Sequence, residues 1–171
     1  MDILKTATDW AKDEVFSTQF FILFGLMFVV ATIGFWYLGK TDLARAFIYP
    51  GLVAGILLLI IGVGLFVSNK SRLKNFPVEY EKDASAFVKS EIMRAEKTIN
   101  GFEGSVFKVV PVIMMIATLA FIFLDKPLWR AISLSTIAMM VVILLIDTNS
   151  NARMKVYKEY METVENQEVS T

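Results

Sequence analysis

The residues able to do chemistry in this chain are few, and their types narrow what that chemistry could be. The 171 residues include no histidine and no cysteine. Imidazole bases, thiolate nucleophiles, disulfides and metal or haem sites built on those ligands are therefore removed at the outset. The acids that fall close together, Glu79, Glu81 and Asp83, alternate along a segment read as helical, so they diverge and suit a solvated face better than a metal site. No nucleophile triad or phosphate-cradling glycine loop is present, and the expectation is a protein that is not an enzyme and uses no cofactor. The polar side chains inside the apolar stretches are Thr32, Thr118, Ser133, Ser135 and Thr136. They are read as hydrogen bonding to their own or a neighbouring helix, or, in a pore, as the lining of a path with Thr32 and Thr118 at equivalent positions. Lys108 and Asp147, at the edges of the apolar stretches, are read as interface anchors.

The elements that must carry these residues belong to a membrane protein. Hydrophobic residues make up 56% of the chain, above the roughly 45–50% of soluble domains, and they are gathered in four blocks. Gln19 to Leu38 and Ala46 to Ser68 hold no charge and match the ~20 residues needed to cross the hydrocarbon. Val109 to Leu124 and Ala131 to Ile146 are shorter between charges, and neighbouring apolar residues bring each to spanning length. A signal peptide is not expected for the first block, because a charged 18-residue segment with four acids precedes it. Seventeen basic residues balance seventeen acidic ones, which gives no reason to expect nucleic acid as a partner.

Of the seventeen Lys and Arg residues, thirteen fall on the side of the two termini and the central loop, and only Lys40, Arg45, Lys126 and Arg130 on the other. The positive-inside rule then places both termini in the cytoplasm, with a bacterial inner membrane as the expected setting. The end of the first block, Ala31 to Lys40, matches Ala117 to Lys126 at five of ten positions, and Arg45-Ala46 aligns with Arg130-Ala131. Two similar hairpins in parallel orientation are therefore expected, a duplication with a pseudo-two-fold axis along the membrane normal. Gly39 is expected to end the first helix in a left-handed conformation, Thr41 to cap the second, and Asp125 to cap the fourth ahead of Pro127. Gly51 and Gly55 form a small-xxx-small pattern read as intramolecular helix packing in preference to dimerisation.

Three amphipathic parts remain. Residues 1–18 place Ile3, Leu4, Ala7, Trp10, Ala11 and Val15 at helical spacing, as in a short helix lying in the membrane interface. Glu79 to Phe102 carries one apolar stripe that includes Phe87, Ile92 and Ile99, with Arg94 and Lys97 among its charges. Beyond Asp147 no helix breaker intervenes, and Met154, Tyr157, Met161 and Val164 repeat as in a coiled-coil seam. These stripes could pack on each other, lie on lipid or dock another chain. Phe87, Ile92, Arg94, Lys97, Ile99, Tyr157 and Met161 are the candidate interaction residues. The polar end, Glu165 to Thr171, is expected to be disordered.

The expected fold is an all-α integral membrane protein with four transmembrane helices in two similar hairpins, plus cytoplasmic amphipathic helices. Its parts are 1–18 (interfacial helix), 19–68 (first hairpin), 69–104 (cytoplasmic helical loop), 105–147 (second hairpin) and 148–171 (helical extension and tail). In architecture alone it resembles small multi-span immunity proteins that protect bacteria from membrane-targeting toxins, and accessory subunits of membrane complexes. That resemblance implies work by protein–protein interaction in or at the bilayer, with a membrane or membrane-active partner. A homo-oligomeric channel or small-solute transporter is the alternative.

Overall fold

The computed structural model describes residues Ile3–Val169 and is helical throughout, with no strand among them. Four of its helical rods are long and apolar enough to cross a membrane. The first, α1 (Ile3–Leu38), turns through Gly39 to Thr41 into a short α2 (Asp42–Ala46), and α3 (Ile48–Lys82) returns antiparallel to α1. α4 (Ala84–Gly101) leads through a π-helical turn (Phe102–Val106) into α5 (Phe107–Phe123), and α6 (Pro127–Val169) closes the chain. At 1.5 Å per residue, α1 and α3 are each roughly 50 Å long and α6 is over about 60 Å, against ~30 Å of hydrocarbon. All three must project beyond the bilayer, and they do so on the side that carries both termini.

Several expected boundaries change for local reasons. α1 does not end a separate interfacial helix at residue 18; it is unbroken from Ile3 to Leu38, and Ala7, Trp10 and Ala11 are buried within the molecule. The stripe read from Glu79 to Phe102 belongs to two helices. α3 runs through Pro77 to Lys82, and the chain breaks at Asp83, whose extended backbone and side chain cap α4 by accepting the Ala86 N–H at 2.9 Å. Glu79, Glu81 and Asp83 therefore do not share one helix. Gly39 has no left-handed conformation. A glycine is needed there because a Cβ would lie 2.3 Å from the Phe35 carbonyl oxygen. Thr41 caps α2 as expected, accepting the Ala44 N–H at 3.2 Å. Asp125 spends its carboxylate on the Arg130 guanidinium at 2.8 Å, and the Lys126 carbonyl accepts the first α6 bond. The helix continues through Glu165 to Val169, where polar composition had suggested disorder; Ser170 and Thr171 lie outside the described residues.

A π-helical turn joins α4 to α5, at the boundary placed between residues 104 and 105. Its Phe107 N–H reaches back five residues to the Phe102 carbonyl. Pro111, inside α5, has no N–H to offer Phe107 and crowds its carbonyl, so the irregular turn sits where α-helical bonding is already weakened.

Two apolar clusters hold the rods together. The one within the spans is small: Phe21, Leu58, Val142 and Ile146, from α1, α3 and α6. The other lies beyond the spans on the terminal side. It gathers Ala7, Trp10, Ala11, Phe76, Phe87, Val88, Ala95, Met154, Tyr157 and Met161 from α1, α3, α4 and α6. The projecting stripes thus cover each other, which is what burial of apolar surface in water rewards.

Candidate functional site

The ionisable side chains that the fold withdraws from solvent are concentrated at one level, where the spans meet the terminal-side cluster. On α1, Ala7, Ala11, Glu14, Thr18, Phe21 and Gly25 are all buried and recur at spacings of four and three, so Glu14 is an acid on an apolar seam. Its partners come from α6, a turn apart on one face. Ser150 Oγ donates to Glu14 Oε2 at 2.6 Å, and Arg153 donates to Oε1 through Nε at 3.1 Å and Nη2 at 2.8 Å. Arg153 Nη2 also donates to Ser17 Oγ at 2.7 Å.

A second buried acid, Glu91 of α4, is held by two elements. Arg94, one turn on, donates Nε at 2.8 Å and Nη2 to the two carboxylate oxygens, and the Tyr157 hydroxyl of α6 donates to Oε2 at 2.7 Å. The Arg94 guanidinium lies over the Trp10 ring at 4.4 Å, and Trp10 stacks on Tyr157 at 4.9 Å. One ion pair is thus enclosed by rings from α1 and α6, a geometry that adds cation–π attraction to the charge-assisted bonds. Burial pushes the Tyr157 phenol above its ordinary value, and the Glu91 charge pushes the same way. Burial opposes the Arg94 charge, yet the hydrogen bond and charge of Glu91 outweigh it and its pKa is raised.

Between α1, α3, α4, α6 and the π-helical turn lies a cavity of about 320 Å³. Its polar wall includes Glu14, Asn69, Arg72, Arg94, Asp147 and Ser150, and its membrane-facing wall includes Phe21, Ile61 and Leu65. Arg72 donates to the Asn69 side-chain oxygen at 2.5 Å. Its pKa is lowered, by burial first and by the Arg94 charge second. Glu14 and Glu91 are each occupied by guanidinium and hydroxyl donors, an arrangement that ties α6 to α1 and to α4. No group of acids among the described residues is arranged to hold a metal ion.

The residues singled out from sequence are distributed differently. Phe87, Tyr157 and Met161 are buried in the terminal-side cluster, Ile92 and Ile99 pack against it, and Arg94 serves the Glu91 pair. Only Lys97 of that set is exposed, so the candidate interaction face is the inside of a clasp. Gly51 and Gly55 do line a helix seam, between α3 and α1: a Cβ on Gly55 would lie 3.0 Å from the Gly25 carbonyl oxygen, and one on Gly51 2.7 Å from Thr32 Oγ1. Thr32 is buried in that seam with no hydrogen-bond partner for its hydroxyl among the described residues. Thr118 is exposed on α5 and donates to its own helix at Met114 O, 2.8 Å away. Ser135 and Thr136 line a separate pocket of about 290 Å³ between α3 and α6 with Tyr49, Pro50 and Ala54. The two threonines therefore share no path. Lys108 is exposed, whereas Asp147 is half-buried in the cavity wall near Glu14 and is no solvated anchor.

Glu14, Asn69, Arg72, Ser150 and Arg153 were not singled out. Glu14 had a legible signal in its place on the Ala7 to Gly25 seam, and Asn69 another, seven residues from Gly62 and seven from Phe76, all three buried. The chain matches no family model, no curated protein and no solved structure.

Proposed function

We propose that the protein is a small multi-span inner-membrane protein that acts by binding another membrane or membrane-active protein through α5. Immunity against a membrane-targeting toxin, or an accessory role in a larger membrane complex, are the kinds of task that fit. The observation that carries this reading is the isolation of α5. It packs on α6 and on the turn before it but on neither α1 nor α3, and it buries only Val110 and Ala117. Because the amphipathic stripes are consumed in the clasp, the bilayer-embedded surface is what remains to meet a partner. The clasp then serves as a rigid base, with its charges on the cytoplasmic side where thirteen of the seventeen basic residues lie.

The two hairpins are read as parallel copies of one ancestral hairpin. Support comes from the aligned residues and from a shared device at the external turns. Arg45 donates to the Gly39 carbonyl oxygen at 3.2 Å, and Arg130, its counterpart, pairs with Asp125 at 2.8 Å. A pore has less support, since Thr32 and Thr118 occupy different surroundings.

The test is a photo-crosslinking residue placed in living cells at Met115 or Ile122 of α5, with Ile60 of α3 as the control, all three exposed. The expected result is one foreign protein, of one mass, captured from α5 and not from α3. Adducts only with a second copy of the chain would favour a homo-oligomer, and no protein adduct from any α5 position would reject the reading.

A further inference from the structure

α3 does not stop where Lys70 closes its uncharged stretch but continues to Lys82. Ser68, Ser71, Arg72, Asn75 and Glu79 follow one another along this extension at steps that keep them on one side of a helix. With Val67 and Phe76, and with Glu91 and Arg94 of α4, they wall a groove of about 380 Å³. The groove begins within three residues of Lys70, the first charge after a span, which is the depth of lipid headgroups.

Its electrostatics are incomplete. Arg94 commits Nε and Nη2 to Glu91, but its Nη1 is buried without a hydrogen-bond partner among the described residues. Arg72 makes no ion pair with a carboxylate among the described residues, and its one hydrogen bond goes to the neutral Asn69 side chain. Both arginines line the groove, and Arg72 keeps guanidinium donors that no hydrogen bond among the described residues uses; such donors match phosphate oxygens in geometry and charge. Burial first and the Arg94 charge second lower the Arg72 pKa, and the charges of Glu91 and Glu14 offset this only in part, a penalty that a bound anion would relieve. A small free anion fits poorly, because Glu79 and Glu91 share the wall and Val67 offers apolar surface at its membrane end. A molecule with a phosphodiester, a positive group beyond it and an acyl tail before it matches all three features.

We propose that this groove binds a glycerophospholipid, its phosphodiester held by Arg72 with donors from Ser68, Ser71 and Asn75, and that Glu79 selects headgroups carrying a primary ammonium. Arg72 and Glu79 are about 10 Å apart along the helix axis, within the combined reach of two long side chains and an ethanolamine headgroup. The site is independent of α5 and of any protein partner.

The test uses the full chain, purified in detergent and stripped of lipid, with short-chain phosphatidylethanolamine, phosphatidylglycerol, phosphatidylcholine or inorganic phosphate added. Binding is read by native mass spectrometry and by the thermal midpoint. Phosphatidylethanolamine is expected to bind once per chain and to raise the midpoint by roughly 2–4 °C, while inorganic phosphate does not. Arg72→Gln should weaken that binding about tenfold or more. Ser71→Leu, which fills the groove and leaves every charge in place, should do the same. Glu79→Gln should abolish the preference over phosphatidylglycerol. Equal stabilisation of the wild type, Arg72→Gln and Ser71→Leu would overturn the site, as would a shift reproduced by inorganic phosphate or no shift at all. Equal binding of phosphatidylcholine would overturn the selection by Glu79.

Discussion

The two hairpins end in similar sequences and pack in opposite ways. In α1 and α3 the backbones touch: a Cβ on Gly62 would lie 2.8 Å from the Phe21 Cβ and one on Gly25 2.8 Å from the Leu59 side chain. α5 and α6 have no such seam, and α5 buries two residues. Extending the alignment of Ala31–Lys40 with Ala117–Lys126, and of Arg45 with Arg130, to the glycines shows a difference between the two pairs. Gly25 corresponds to Pro111, Gly51 to Thr136, Gly55 to Met140 and Gly62 to Asp147. Opposite each glycine that lets the first pair approach, the second pair carries a residue with bulk, a ring or a charge. The same exchange separates the threonines, since Thr32 is buried against Gly51 whereas Thr118 stays exposed. Apolar pattern inserts both hairpins, but within lipid, where hydrophobicity does not favour helix contact over lipid contact, small residues decide which of them closes.

The comparison can be broken hardest where the hairpins are tied together. Glu14→Ala leaves Arg153 and Ser150 facing an emptied site and should cost about 3 kcal/mol or more of unfolding free energy in mild detergent. A value near zero would mean that α1 and α6 are joined by apolar packing alone. Gly55→Leu should come next, at about 1–3 kcal/mol with loss of α1–α3 contact, while Met140→Leu in the second hairpin should change stability by under about 1.5 kcal/mol. Similar losses at both positions would refute the assignment of a tight and a loose pair.

Tyr157→Phe removes one donor from Glu91 and should cost roughly 1–1.5 kcal/mol at neutral pH. The phenol's folded pKa lies above the ordinary value of about 10. Its contribution is therefore complete below that pH and is lost as pH climbs toward the folded value. An alkaline titration of stability should fall in the wild type above about pH 10 and fall less in Tyr157→Phe; parallel curves would show the phenol to be solvated. The smallest effects sharpen the contrast between the threonines. Thr118→Val should stay within about 0.5 kcal/mol, and Thr32→Val, which removes a buried hydroxyl that has no partner among the described residues, should be neutral or slightly stabilising.

The four apolar blocks, the Thr41 cap and the unbroken exit of α6 from the membrane could be read from residue order, because each depends on neighbours within a few turns. The break at Asp83 was legible in kind, an acid three residues before an N–H that needs a partner, but a continuous stripe on both sides hid it. The apolar stripes were visible as stripes, and which surface would cover them was not, since lipid, a partner and the chain's own helices offer the same pattern. Glu14 marks the limit. Its place on an apolar seam shows that it must be paired, yet the donor, Arg153, is 139 residues away, and only the assembled fold brings them together.

The π-helical turn at Phe102–Val106 is equivalent to one residue inserted into an otherwise continuous α-helix. It acts as a rotary stop. One residue of α-helix corresponds to about 100° of rotation and 1.5 Å of advance, so removing Gly104 would turn α5 by that angle while α4 stays fixed in the clasp. Accessibility of single cysteines along α5, in a chain that has no other cysteine, would read the turn directly; an unchanged pattern would mean that α6, not the turn, sets the face of α5. Which side of this helix meets its surroundings is then a matter of phase, adjustable by a single codon without altering any residue of α5 itself.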